Sequence, residues 1–62
     1  MNEHMHIEAV EVLFRWEDTG ELATWFTAPD QAHAFVLGAR HELPSGRIII
    51  PIRKRRVVKI HN

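Results

Sequence analysis
Four contiguous cations, Arg53-Lys54-Arg55-Arg56, followed by Lys59, are the densest concentration of chemistry in this chain. Cations packed so closely suit phosphate, because each phosphate neutralised by Lys or Arg releases counterions and adds a salt-dependent increment to affinity. On an extended strand, however, neighbouring side chains point to opposite faces, so only alternate members of the run address one surface. A nucleic-acid-binding reading adds Arg40 and Arg47 to Arg53, Lys54, Arg55, Arg56 and Lys59 as one basic stripe. The competing reading is structural: cations protect an exposed sheet edge and pair with Glu8 or Glu11 on a neighbouring strand.

The five histidines raise the question of a metal. His4 and His6 project from the same side of an extended segment, but two ligands do not make a site, and His33, His41 and His61 follow at no recognisable ligand spacing. No cysteine is present. The expectation is therefore no metal and no cofactor. Catalysis has equally little to build on: there is no cysteine nucleophile, no glycine-rich phosphate loop, and the single serine, Ser45, lies in a Pro-Ser-Gly turn whose ordinary role is to reverse the chain. The expectation is a protein that is not an enzyme and takes no small-molecule substrate.

Net charge is zero, yet the charges are sorted. Residues 1–30 hold seven of the eight acids and only Arg15 as a base, whereas residues 31–62 hold the other seven bases and only Glu42 as an acid. Apolar residues make up 45% of the 62, enough to argue for a folded core rather than a disordered tail. A domain of this size buries only about 60% of the surface its unfolded chain exposes, so stability is marginal and association with a partner or with its own copy is a natural supplement. No apolar run is long enough to span a bilayer, and the first residues lack the basic and apolar regions of a signal peptide; a cytoplasmic protein with no membrane role is expected.

Several elements must position these groups. From His6 to Trp16, Val10, Val12, Phe14 and Trp16 alternate with Glu11 and Arg15, the period of a half-buried strand. After Glu17-Asp18-Thr19-Gly20, the stretch 22–27 reads as a second strand and the pair as a hairpin. A three-residue loop with Gly20 in the left-handed conformation sets Glu17 opposite Glu21, Trp16 opposite Leu22, Phe14 opposite Thr24 and Val12 opposite Phe26 on the core side, with Leu13 opposite Trp25 on the other. Thr27 as N-cap, Pro29 in the first turn and Asp30 completing a capping box predict a helix to about His41, with Ala32, Phe35, Val36, Ala39 and Leu43 as its apolar stripe. Residues 47–60 read as a last strand, which Pro51 makes either an edge strand or one bulged nearby, and the edge position is the one expected. The expected fold is a single α+β domain over 1–62, with an ordered core of about 6–60: a ββαβ chain, its mainly antiparallel three-stranded sheet in the order 2-1-3, one helix packed on one face.

That helix covers one face only. Leu13, Arg15, Trp25 and Ile49 are then candidates for a protein-binding patch on the uncovered face, Trp and Arg being the types most enriched at interface hot spots. The leading functional expectation is a non-enzymatic protein-binding module that docks on another protein or on its own copy through the uncovered face or a sheet edge. The alternatives are the nucleic-acid-binding regulator above and a homodimeric structural domain. The ββαβ layout, with Pro44-Ser45-Gly46 between helix and last strand, resembles small phage-encoded inhibitors of bacterial RNA polymerase over most of the chain. That resemblance implies a stand-alone inhibitor or regulator of a larger host protein, and it carries over no functional residue.

Overall fold
In the computed structural model of the chain, residues 5–61 are described, with the side chains of residues 8–58. Four strands form one antiparallel sheet: β1 (Met5–Trp16), β2 (Leu22–Thr27), β3 (His41–Glu42) and β4 (Ile48–His61), in the spatial order β2-β1-β4-β3. β1 lies between β2 and β4 and pairs with both.

The expected ββαβ arrangement is overturned. In place of a helix to His41 there is a six-residue 3-10 helix, Pro29–Ala34, and a fourth strand, β3, is added outside β4. Pro29 does stand in the first helical turn, but the N-cap is Ala28 and no side chain caps it. The helix stops because Phe35 is already extended (φ −95°, ψ 93°) and Gly38 takes φ +81°, the left-handed region that an α-helix excludes. Gly38 then donates its N–H to the Pro51 carbonyl (2.7 Å), and Ala39 donates to the Val36 carbonyl (3.1 Å). Residues 36–39 thus form a turn laid against β4. Of the anticipated stripe, Ala32 is buried and Phe35 packs against the core, while Val36 is exposed.

The β1–β2 hairpin exists with a register one residue away from expectation. Trp16 N–H donates to the Glu21 carbonyl and Gly20 N–H to the Trp16 carbonyl (both 2.8 Å), so the loop is the four residues Glu17–Gly20. Gly20 is left-handed as expected. The pairs are Arg15 with Leu22, Phe14 with Ala23, Leu13 with Thr24, Val12 with Trp25 and Glu11 with Phe26. A shift of one residue turns all of β2 over, so Trp25 joins the face of Val12 and leaves that of Leu13. The three-residue loop with a left-handed glycine occurs instead between β3 and β4: Gly46 (φ +92°) donates to the Leu43 carbonyl and Leu43 to the Arg47 carbonyl (both 2.8 Å) around Pro44-Ser45.

The β1–β4 ladder carries an irregularity between Leu13 and Phe14: Leu13 faces Arg53 and Phe14 faces Pro51, leaving Ile52 as the extra residue. A bulge next to a residue with no N–H to give takes the place of the edge position expected for this strand, since β3 pairs outside β4 at Ile48 and Ile49. One sheet face is covered by the 3-10 helix and the chain that follows it. There Val12 is fully buried, and Val10, Phe14, Ala32, Ile49 and Pro51 are buried with it. Phe14 and Trp16 meet edge to face (centroids 5.2 Å, 87°).

Phe14 is the largest fully enclosed side chain. Phe14→Ala is expected to cost about 3–5 kcal/mol in urea unfolding, whereas Leu22→Ala, at an exposed position, should stay within about 0.5 kcal/mol. A Phe14 loss below about 1 kcal/mol would contradict the placement of the core.

Candidate interaction surfaces
The first surface is the sheet face opposite the 3-10 helix. Cross-strand partners share a face, so the registers place Glu11, Leu13 and Arg15 of β1 here, beside Phe26, Thr24 and Leu22 of β2 and Arg55, Arg53 and Ile50 of β4. Leu13 is the centre, half-buried by its neighbours. Leu22 and Phe26 are exposed at the β2 side. Glu11 and Arg55 stand directly opposite each other and pair at 3.0 Å; the Glu11 side chain is only 17% exposed against 63% for Arg55. Arg53 makes no ion pair among the described residues. With Arg15, Arg53 and Arg55 against Glu11, this mixed apolar and polar surface has a net positive centre.

The four residues proposed for this patch from the sequence are not brought together. Leu13 and Arg15 are on the open face. Trp25 is half-exposed at the β2 margin of the covered face, opposite Val12. Ile49 is a core residue opposite Trp16, 2% exposed. Phe26, Leu22 and Ile50 belong to the patch and were missed, because each follows from the true register and bulge rather than from its own type.

The basic run is divided by the pleat. Arg53 and Arg55 are on the open face, opposite Leu13 and Glu11; Lys54 and Arg56 are on the covered face, opposite Val12 and Val10. Lys54 Nζ donates to the Ala32 carbonyl (3.2 Å), where the 3-10 helix ends, and Arg56 lies 3.9 Å from Glu8. Lys54 and Arg56, with Val10, Pro29, Ala32 and His33, line a shallow open cleft of about 350 Å³. The anticipated pairing of this run with Glu8 and Glu11 is present. The Lys59 side chain, and those of His4, His6 and His61, lie outside the described side chains. No group of three or more metal-ligating side chains occurs among the described residues.

Arg40 and Arg47 do not extend the run into a stripe. Both bind the β1–β2 loop: Arg40 donates to both Glu17 carboxylate oxygens, through Nη2 at 2.9 Å and through Nε, and Arg47 donates to both Asp18 oxygens at 3.0 and 3.2 Å. Arg47 also lies over the Trp16 ring, 3.8 Å from its centroid, and the Glu17 N–H donates to the Ile48 carbonyl (3.0 Å). From Arg47 to Arg53 is six residues along β4, roughly 20 Å. These two arginines therefore clamp one end of the sheet.

Hydrogen bonds from Arg40 hold the Glu17 carboxyl below its ordinary range, Arg47 does the same for Asp18, and Glu17 in turn raises Arg40. No helix among the described residues is long and apolar enough to cross a membrane. No protein-family model, characterised protein or solved structure matches this chain.

The two clamps set the sign of a pH dependence. Carboxylates depressed in the folded state stabilise it above their unfolded values, and that contribution is lost as pH falls through the lower folded values. Glu17→Gln/Asp18→Asn should therefore lower stability modestly near neutral pH, both pairs being solvent-exposed, and flatten the acid limb, so that the wild-type and variant curves converge at low pH. An unchanged acid limb, followed by urea unfolding from pH 7 downward, would show that the clamps contribute nothing.

Proposed function
We propose that this chain is a small, non-enzymatic protein-binding module whose open sheet face docks on an apolar, acidic surface of another protein. The observation that supports it most is the make-up of that face: Leu13 at the centre, Leu22, Phe26 and Ile50 around it, and three arginines against one glutamate. Apolar anchors interspersed with arginine are the composition of an interface centre, and the surplus positive charge favours an acidic partner and steers the encounter. A chain this small acts there as an inhibitor or regulator by covering part of a larger protein, and a cytoplasmic location belongs to the same proposal. The resemblance to phage-encoded polymerase inhibitors lends it nothing, since the ββαβ layout on which it rested is not the fold found.

The nucleic-acid reading is the weaker one. The six of its seven cations whose side chains are described are divided between two faces and the clamped end of the sheet, and four of them face carboxylates. Competing acids lower the number of phosphates that a surface of this kind can neutralise.

Affinity capture from extract with the wild type, Leu13→Lys and Lys54→Ala/Arg56→Ala separates the two. The proposal predicts one protein retained by the wild type and by the double variant but lost with Leu13→Lys, provided that variant keeps the wild-type circular dichroism. Binding of a nucleic-acid probe that weakens steeply with salt and disappears in Arg53→Ala/Arg55→Ala would contradict it.

A further inference from the structure
The two edges of the sheet are built differently. On the β4 side the edge is blunted in every way that proteins use: β3 covers only Ile48 and Ile49, but Pro51 follows, its carbonyl is taken by Gly38, Ile52 is bulged, and four cations come next. On the β2 side there is none of this. Leu22–Thr27 contains no charge, no proline and no glycine, and it carries Leu22, Trp25 and Phe26 exposed. Six uncharged residues, four of them (Thr24, Trp25, Phe26 and Thr27) of high strand propensity, on a sheet edge are a template for another strand.

We propose that β2 pairs with β2 of a second copy of this chain, antiparallel about a two-fold axis through Thr24, joining two four-stranded sheets into one of eight. The proposal concerns the edge and is independent of what docks on the open face.

The ladder sets the register. Trp16 bonds to Glu21, so with the alternation of an antiparallel pair the next bonded partners are Phe14 with Ala23 and Val12 with Trp25. Thr24 and Leu22 are in the intervening pairs, and their N–H and C=O groups point away from β1. A two-fold at Thr24 lets Thr24 exchange both backbone bonds with Thr24 of the second copy. It also keeps covered face beside covered face. Trp25 then falls opposite Ala23 of the second copy and Phe26 opposite its Leu22, large against smaller on each face, and Glu21 falls opposite Thr27, so no charge meets its like.

Two further observations favour a second copy over a foreign strand. The strand is self-complementary in this register, and the blunted β4 edge stops the assembly at two, giving a closed isologous dimer rather than a fibre. Among the described residues the buried core of one copy is small, Val10, Val12, Phe14, Ala32, Ile49 and Pro51, which is where association is a common supplement.

Sedimentation or light scattering over a concentration series tests the proposal. The wild type should approach twice its 7.2 kDa chain mass. Thr24→Lys and Thr24→Glu each bring like charges together on the axis and should weaken the dimer by about tenfold or more, while their equimolar mixture should restore it, since Lys then faces Glu. In the wild type the Thr24 amide should gain exchange protection with rising concentration, a readout that needs no variant. A wild type that stays at 7.2 kDa throughout, a Thr24 amide that exchanges freely at all concentrations, charged variants that dimerise unchanged, or a mixture that stays monomeric would overturn the proposal.

Discussion
Everything else in this fold hangs on the ladder between β1 and β4. β1 pairs with β4 from Met5 to Trp16 and uses its other edge for β2, so the faces of the described β2 and β4 side chains follow from two registers measured against one strand. The bulge at Ile52 sets the first. By inserting one residue after Pro51 it sends Ile49 and Pro51 to the covered face and sets Glu11 directly opposite Arg55. The four-residue loop sets the second, and with it the face on which Trp25 lies.

The sorting of charge along the chain acquires a physical meaning in this ladder. Antiparallel pairing of the two long strands brings the acidic first half against the basic second half, and among the described residues four ion pairs cross from one half to the other: Glu8 with Arg56, Glu11 with Arg55, Glu17 with Arg40 and Asp18 with Arg47. Apart from the largely covered Glu11 carboxylate these groups are solvent-exposed, and each pair is individually modest. Together they favour this register over slipped ones, because a slip sets cations beside apolar partners and leaves acids unmatched. Within the basic run, Arg55 and Arg56 are the complement of the chain's own Glu11 and Glu8.

Strand periodicity made β1 and its core face legible in the sequence, Val10, Val12 and Phe14 being buried where alternation put them. Pro44-Ser45-Gly46 announced the second turn, while Pro51 pointed first to an edge strand and the strand is instead interior and bulged. The helix was misread because apolar spacing over 32–43 satisfies a helical period while Gly38 and the tertiary bond to Pro51 demand a turn; propensity over so short a stretch yields to such contacts. The hairpin register failed on a single residue, and the sequence held a signal against it. A three-residue loop sets Glu17 opposite Glu21, like charges face to face, whereas the four-residue loop releases Glu17 to Arg40 and to the Ile48 carbonyl. That error carried Trp25 into the candidate patch and left Phe26 out.

The register of β2 on β1 is the central claim, since the open face and the outward-facing groups of Thr24 both depend on it. Hα–Hα nuclear Overhauser effects in the labelled chain read it directly, because non-bonded antiparallel pairs bring their Cα atoms to about 4.5 Å. The account predicts strong Hα–Hα contacts between Leu13 and Thr24 and between Arg15 and Leu22. Contacts between Phe14 and Thr24 and between Trp16 and Leu22 would contradict it, turning β2 over and returning Trp25 to the face of Leu13.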